Sequence, residues 1–481
     1  MLSGAAMVAL APADTSAAPV TPHGTLLASE LDTADVDGAW TDAFQPLTPT
    51  LGIHAVVLHT GKVLLWSGYQ ESGVNGGSHA TLFDPATNQV HKVDPGASIF
   101  CGGQTILPDG QVLVVGGLGT LNGSGINTVY LFDPVSQTWT QQDNMHKGRW
   151  YPSVAEVPSG QAVVLGGHDE SLNNNTDVEI YTPGSSAETL VGTDHVGNYA
   201  KTFLLPNGQL LIAGPIRTQE LDPDTWGITN YPNLLFPQYQ YPAGVLLPGP
   251  ASGSYQVMMV GGKDRSGGTV TANTEIFDGS NPSAGWQPGP PLPEPRTNMN
   301  LVILPDGTLL GVGGASVGQY LQPQFQSLLY DPATQVWSPV ASQTVQRTYH
   351  STAVLLPDGR VLSAGDNQPG GGKGRLDIYS PPYLFNGPRP TITSAPSEVP
   401  YGGSFDIGTP DEITRAVLMA PGATSHATDM HQRHVELAIA ASDDGYTATT
   451  PTIDVAPPGY YMLFLLNAAG VPSVASWVHI G

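Results

Sequence analysis

The feature that most constrains this chain is a hairpin that recurs about every fifty residues. An apolar strand is followed by a tight turn at glycine, a second apolar strand, and then Gly-Gly or a close variant. Clear copies begin at Leu107-Pro108-Asp109-Gly110, Leu205, Leu304 and Leu356, with another at Val157 and weaker ones at His59 and around Gly253. The turn glycines are Gly61, Gly110, Gly160, Gly208, Gly253, Gly307 and Gly359, separated by 49, 50, 48, 45, 54 and 52 residues. A second marker follows each hairpin. It reads Leu82-Phe83-Asp84-Pro85, Leu131-Phe132-Asp133-Pro134, Ile180-Tyr181-Thr182-Pro183, Leu221-Asp222-Pro223, Ile276-Phe277-Asp278, Leu329-Tyr330-Asp331-Pro332 and Ile378-Tyr379-Ser380-Pro381. Coincidental hairpins of a sandwich would not carry two markers in register seven times.

A fifty-residue period with Gly-Gly after the second strand is the kelch signature, one four-stranded blade per repeat. Seven copies close a ring, which hides the strand edges that invite aggregation. The sequence therefore predicts an all-β chain, with a seven-bladed kelch-type β-propeller over residues 46–385. Residues 1–45 are read as an N-terminal segment whose first 19 residues are an apolar run without Lys or Arg, a possible signal remnant. After Tyr379 the repeat stops, and Gly387-Pro388-Arg389-Pro390 stiffens a linker. Residues 386–481 carry short strands of alternating polarity, such as 415–419 and 460–466, and are expected to form an immunoglobulin-like β-sandwich.

Composition narrows the partners. With 16 Lys and Arg against 40 Asp and Glu, the net charge is -24. No basic cluster exists to hold a phosphate backbone, so nucleic acid is excluded as a partner. No stretch reaches the roughly 18 apolar residues a bilayer span needs. The reading is a secreted or extracytoplasmic protein, its oligomeric state undetermined. The one cysteine, Cys101, rules out an intrachain disulfide.

In a propeller the innermost strands line the axis, so residues at one fixed distance before the turn glycine form a ring. Nine positions back from the clear turns stand Cys101, Tyr151, Tyr199, Asn298 and His350, with Tyr349 beside the last. Taken singly, each has an ordinary packing explanation; Arg347-Thr348-Tyr349-His350 matches the Arg-x-x-His common in kelch repeats. Together they have a chemical logic. Two phenols and one imidazole suit Cu(II) and leave the set one donor short. The sandwich segment offers that donor at Thr424-Ser425-His426, on a hairpin of small residues slim enough to enter a channel. His431 and His434 compete, but lie on the approach to the next strand, where exposure is expected.

With these residues in view, the chain resembles the copper-radical oxidases of the galactose oxidase and glyoxal oxidase family over nearly its whole length. Phe100-Cys101 looks like that family's thioether cysteine and Gly148-Arg149-Trp150-Tyr151-Pro152 like the context of its partner tyrosine, nearer the glyoxal oxidase branch. Tyr349-His350-Ser351 resembles the axial tyrosine and first histidine ligand, and His426 the second. The resemblance implies one copper ion held by Tyr151, Tyr349, His350 and His426, and a Cys101–Tyr151 thioether that holds the radical. It implies Tyr349 as the base for the substrate hydroxyl, and oxidation of a small primary alcohol or aldehyde by O2 to give H2O2. Gly166-Gly167-His168-Asp169 departs from the galactose-oxidising members, which place a tryptophan over the thioether there. Asp169, Tyr199, Asn298 and Arg296 are the expected substrate contacts. The competing reading is a non-catalytic kelch scaffold that binds glycan or protein, which would not require Cys101, Tyr151, Tyr349, His350 and His426 together.

Overall fold

The structure is a computed structural model that describes residues 26, 31–44, 47, 50–68, 77–185, 188–193, 196–214, 217–236, 239–249, 255–264 and 268–481. The apolar run at residues 1–19 and the turn at Gly253 lie outside the described residues.

Each repeat forms one antiparallel sheet whose strands run outward in chain order. In blade two they are Gly103–Ile106, Val112–Val115, Val129–Asp133 and Thr138–Gln141. The first three strands of a blade are buried, because neighbouring blades cover both of their faces; the fourth is the solvent-facing edge. The hairpin glycines explain why the repeat was visible. Gly61, Gly110, Gly160, Gly208, Gly307 and Gly359 all have φ between 76° and 92°, a region closed to most side chains. From blade two to blade seven the innermost strands pack in chain order around the axis, and that of blade seven (Ser351–Leu355) lies against that of blade one (His54–Val57).

The seventh sheet contains a strand that the repeat did not announce. Ala39–Trp40 pairs with Asp377–Ser380 as the outermost strand of the last blade, with Trp40 opposite Tyr379. The sequence reading left these residues outside the propeller, since two residues without a hairpin carry no pattern. Trp40 is fully buried, and its Nε1 donates to Ser327 Oγ (3.2 Å) and to the Ala341 carbonyl (3.1 Å). Trp40→Ala should therefore cost about 3–5 kcal/mol, read as a lowered denaturation midpoint with an unchanged denaturant slope.

The C-terminal segment folds as two facing sheets. One orders Glu398–Val399, Ser476–Ile480, Gly459–Leu466, Arg415–Ala420 and Arg433–Leu437; the other is Ser404–Gly408, Gly445–Thr449 and Ile439–Ser442. Strands Arg415–Ala420 and Gly459–Leu466 do not alternate in burial as expected. Leu418, Leu463 and Leu465 face the sandwich core, while Val417, Met419, Met462 and Phe464 pack in the core shared with the blades. A strand covered on both faces reads as continuous apolar sequence. No helix among the described residues is long and apolar enough to cross a membrane.

One connection between the two parts decides the site. Residues Ala423–Ser425 pair antiparallel with His54–Val57, adding a hairpin to the axial edge of blade one: Val56 faces Ala423, and His54 faces Ser425. The hairpin thus climbs the channel alongside an existing strand and delivers the next residue, His426, to the axis.

Candidate metal centre

The residues that begin the innermost strands share an unusual backbone. Cys101 (φ 61°), Tyr151 (63°), Tyr199 (44°), Asn298 (55°) and His350 (67°) are all left-handed, as is His426 (52°). Such conformations cost of order 1–3 kcal/mol at non-glycine residues, and the ring is braced accordingly. Tyr151 N–H donates to the Cys101 carbonyl (3.0 Å), and Tyr199 N–H to that of Tyr151 (2.9 Å). The counting rule missed one member of this ring. In blade five the residue is Tyr241 (φ 56°), whose carbonyl accepts from Asn298 N–H (3.1 Å) and whose ring meets Tyr349 edge-on at 5.6 Å. That blade's first hairpin is longer, so counting back from Gly253 lands elsewhere.

A left-handed residue breaks the alternation by which neighbouring strand side chains point apart. Two consecutive pairs therefore stack. Tyr349 and His350 lie 3.8 Å apart at 27°, and Trp150 and Tyr151 lie 3.9 Å apart at 14°. The second pair supplies an aromatic where the sequence departs from the galactose-oxidising pattern. The loss of tryptophan after Gly166-Gly167 does not leave Tyr151 bare, because Trp150 covers it, with His168 stacked behind Trp150 at 5.6 Å. Tyr199 covers the opposite face of Tyr151 at 4.4 Å, its hydroxyl donating to the Gly102 carbonyl (2.9 Å).

Five of the residues singled out in sequence meet at one point. The Cys101 Sγ lies 3.7 Å from His426 Nε2, and ligand atoms of Cys101, His350 and His426 fall within 4.8 Å of one another. The imidazoles of His350 and His426 are 4.6 Å apart and perpendicular, Tyr151 is 4.8 Å from His426, and the Tyr151 and Tyr349 hydroxyls are in hydrogen-bond contact. All five are at least nine-tenths buried.

The donor set fits a copper ion. His350 Nδ1 lies 3.1 Å from Asn367 Oδ1, which fixes the ring proton there and leaves Nε2 buried without a partner. His426 Nδ1 is held by Ser425 Oγ at 2.5 Å, turning Nε2 inward. A second hydrogen bond that fixes the tautomer is the usual support of a ligating histidine. Burial pushes His350 down to about 4 and His426 well below the usual range, so both present lone pairs at neutral pH. Burial, then the Cys101 thiol, holds the Tyr151 and Tyr349 phenols well above 10. A bound cation would reverse that preference. Two imidazole nitrogens and two phenol oxygens are donors suited to Cu(II).

Two supporting residues were not legible in sequence. His54 is stacked on Trp66 at 4.6 Å, and burial pushes it down to about 3. Its Nε2 accepts from Cys101 N–H (3.1 Å) while Nδ1 contacts Gln104 Oε1 (3.0 Å), so it holds the left-handed Cys101 in place. Lys201 is buried on blade four, and its Nζ donates to the Ala427 carbonyl (3.1 Å) and to Thr428 Oγ1, pinning the turn that carries His426.

The expected substrate contacts divide. Tyr199 and Asn298 stand in the axial ring, and Asn298 Oδ1 is buried without a partner. Arg296 is buried within its blade. It is 2% exposed and donates to the Gly313 carbonyl (3.2 Å), as Arg149 and Arg347 donate to Gly166 and Gly365 in their blades. It is the repeat's structural arginine. Asp169 folds its carboxylate into its own loop, accepting from Ser171 N–H (2.8 Å) and Asn173 N–H (2.9 Å). His431 and His434 are mostly buried, not exposed: His431 against Glu156, and His434 with Nε2 3.4 Å from the Pro305 carbonyl.

Residues 50–373 match the family described as "Glyoxal oxidase N-terminus", and residues 389–480 match "Galactose oxidase-like, Early set domain". The chain is similar to a WSC domain-containing protein of Arthroderma benhamiae, 31% identical over 91% of this chain and 51% of that one. It thus spans about half the length of that relative. It is 29% identical to aldehyde oxidase GLOX of Vitis pseudoreticulata, over 84% of this chain and 86% of that one. With galactose oxidase of Gibberella zeae it shares 27% identity over 90% of this chain and 69% of the other. Among solved structures, it resembles a fungal alcohol oxidase of the AA5 family in complex with copper. The TM-score there is 0.80 and the identity 27%, over 92% of this chain and 99% of that one.

Proposed function

This chain belongs to the glyoxal oxidase family of copper-radical oxidases, and on that premise we propose that it oxidises a small primary alcohol or aldehyde hydrate with O2, releasing H2O2. The observation that carries the reading is the meeting of two phenols, two neutral imidazoles and one thiol on left-handed backbone at the axis. Tyr151, Tyr349, His350 and His426 would hold the metal. Copper supplies a one-electron acceptor, which with one oxidised side chain makes up the two-electron change. Tyr349 Oη takes the hydroxyl proton of the bound alcohol. Tyr151, cross-linked to Cys101 and oxidised, takes a hydrogen atom from the adjacent carbon. The alcohol loses two electrons and two protons, and O2 gains both as H2O2. Trp150 and Tyr199, stacked on either face, keep water from the oxidised ring. The propeller is taken as residues 46–385 together with the Ala39–Trp40 strand, and the sandwich as residues 386–481. A peroxide-forming reaction suits a place outside the cytoplasm.

Substrate size follows from what the axis lacks. With Arg296 buried in its blade and Asp169 turned into its own loop, the axis offers the Asn298 Oδ1 and, as an acceptor only, the Tyr199 hydroxyl, too few for a hexose with several hydroxyls. Copper-loaded protein in a peroxidase-coupled assay should turn over glycolaldehyde, methylglyoxal or glycerol with a higher kcat/KM than galactose. A lead for galactose of more than about tenfold, roughly 1.4 kcal/mol of transition-state binding, would reject the small-substrate reading.

A further inference from the structure

A second polar cluster lies below the axial centre, where the floor of the propeller meets the sandwich. A small cleft of about 50 Å³, open to solvent on one side, runs between the lower ends of the inner strands of blades three to five and the base of the His426 hairpin. Glu156 and His431 face each other across it, with Glu156 Oε2 3.4 Å from His431 Nε2. That separation is long for a hydrogen bond.

The tautomer explains why. His431 Nδ1 lies 2.8 Å from the Pro421 carbonyl, which can only accept, so the ring proton of the neutral imidazole is there. Nε2 then turns a lone pair toward a carboxylate. Glu156 is 9% exposed, and its Oε1 is buried without any partner. Two groups that both accept, facing each other at 3.4 Å, call for a positive species between them, a proton or a metal ion. An N–H···O=C bond on the far nitrogen is also the arrangement that supports a metal-binding histidine. The geometry of His431 is built in: Asp429 Oδ1 accepts the N–H groups of Ala423, His431 and Gln432, locking the turn. The nearby Arg433 spends its guanidinium on the Val455 and Leu204 carbonyls.

We propose that Glu156 and His431 form a second, transient site for a Cu(II) ion on its way to the axial centre. The inference rests on the copper reading of that centre. Cu(II) is the divalent ion that nitrogen and oxygen donors bind most tightly. Two protein donors, completed by water, give a weak and exchangeable site, unlike the three or four of a resident one. The position fits passage onward. Met430, between Asp429 and His431, lines the cleft and belongs to the same buried cluster as Cys101, Tyr151, Tyr199 and Tyr349.

The test uses the full chain, with Glu156→Gln and His431→Gln as size-preserving variants. In parent protein whose axial centre is already filled, a further equivalent of Cu(II) should give a second electron paramagnetic resonance signal, lost in both variants. Metal-free parent protein given one equivalent of Cu(II) should fill the axial centre at least tenfold faster than either variant, all reaching the same final stoichiometry and axial spectrum. Equal filling rates, or a second signal that persists in His431→Gln, would overturn the transit site and leave Glu156 and His431 as a pair sharing a proton. Failure of the parent itself to take up one equivalent would overturn the axial reading and this inference with it.

Discussion

Copper-loaded protein exposed to O2 should lose two hydrogens, as Cys101 Sγ–H and an aromatic C–H of Tyr151 give way to a thioether while O2 becomes H2O2. The two residues begin adjacent inner strands, joined by the Tyr151 N–H to Cys101 carbonyl bond, and both lie against His426. The left-handed backbone at each turns both side chains to the axis. Intact mass should fall by about two units, and mobility on a denaturing gel should rise, since a covalent loop over residues 101–151 compacts the unfolded chain. Cys101→Ser should show neither change and should lose catalysis almost completely. A free Cys101 thiol in active, copper-loaded protein would sink the cross-link.

His426→Ala should lower copper affinity by at least about a hundredfold, since even partners outside the ligand set are worth ten- to a hundredfold. The blades bury their own cores without this side chain, so far-ultraviolet circular dichroism and cooperative unfolding should persist. Lys201→Met should give a smaller loss with a changed copper spectrum, because it frees the Ala427–Thr428 turn while leaving every donor present. Unchanged affinity in His426→Ala would move the fourth donor elsewhere.

Much of this was legible because both fold and site depend on backbone that few residues tolerate. A blade turn needs φ near 80°, and glycine supplies it, so the repeat announces itself. The axial ring could be counted from those glycines wherever hairpin length was constant, and Tyr241 escaped where it was not. Trp150 was missed for a different reason. Strand alternation places it opposite Tyr151, and only the left-handed turn brings the rings together. Arg296 looked like a free cation because sequence does not display the Gly313 carbonyl that uses it. His431 looked exposed because the strand it approaches was judged without the propeller beneath it. What sequence hides here is which partner a polar group has already taken.

The hairpin that extends blade one joins the first inner strand of the chain, at His54–Val57, to residues 423–425, more than three hundred and sixty positions later. A ribosome therefore releases Cys101, Tyr151, Tyr349 and His350 well before the residue that completes their set. Until then the nascent propeller has an open inner edge and an unfinished donor set. On the proposed reading, a chain cut short before residue 426 lacks one donor of the copper set. Stalled chains ending before that hairpin should keep a reduced Cys101 when given copper and air, and chains released in full should not.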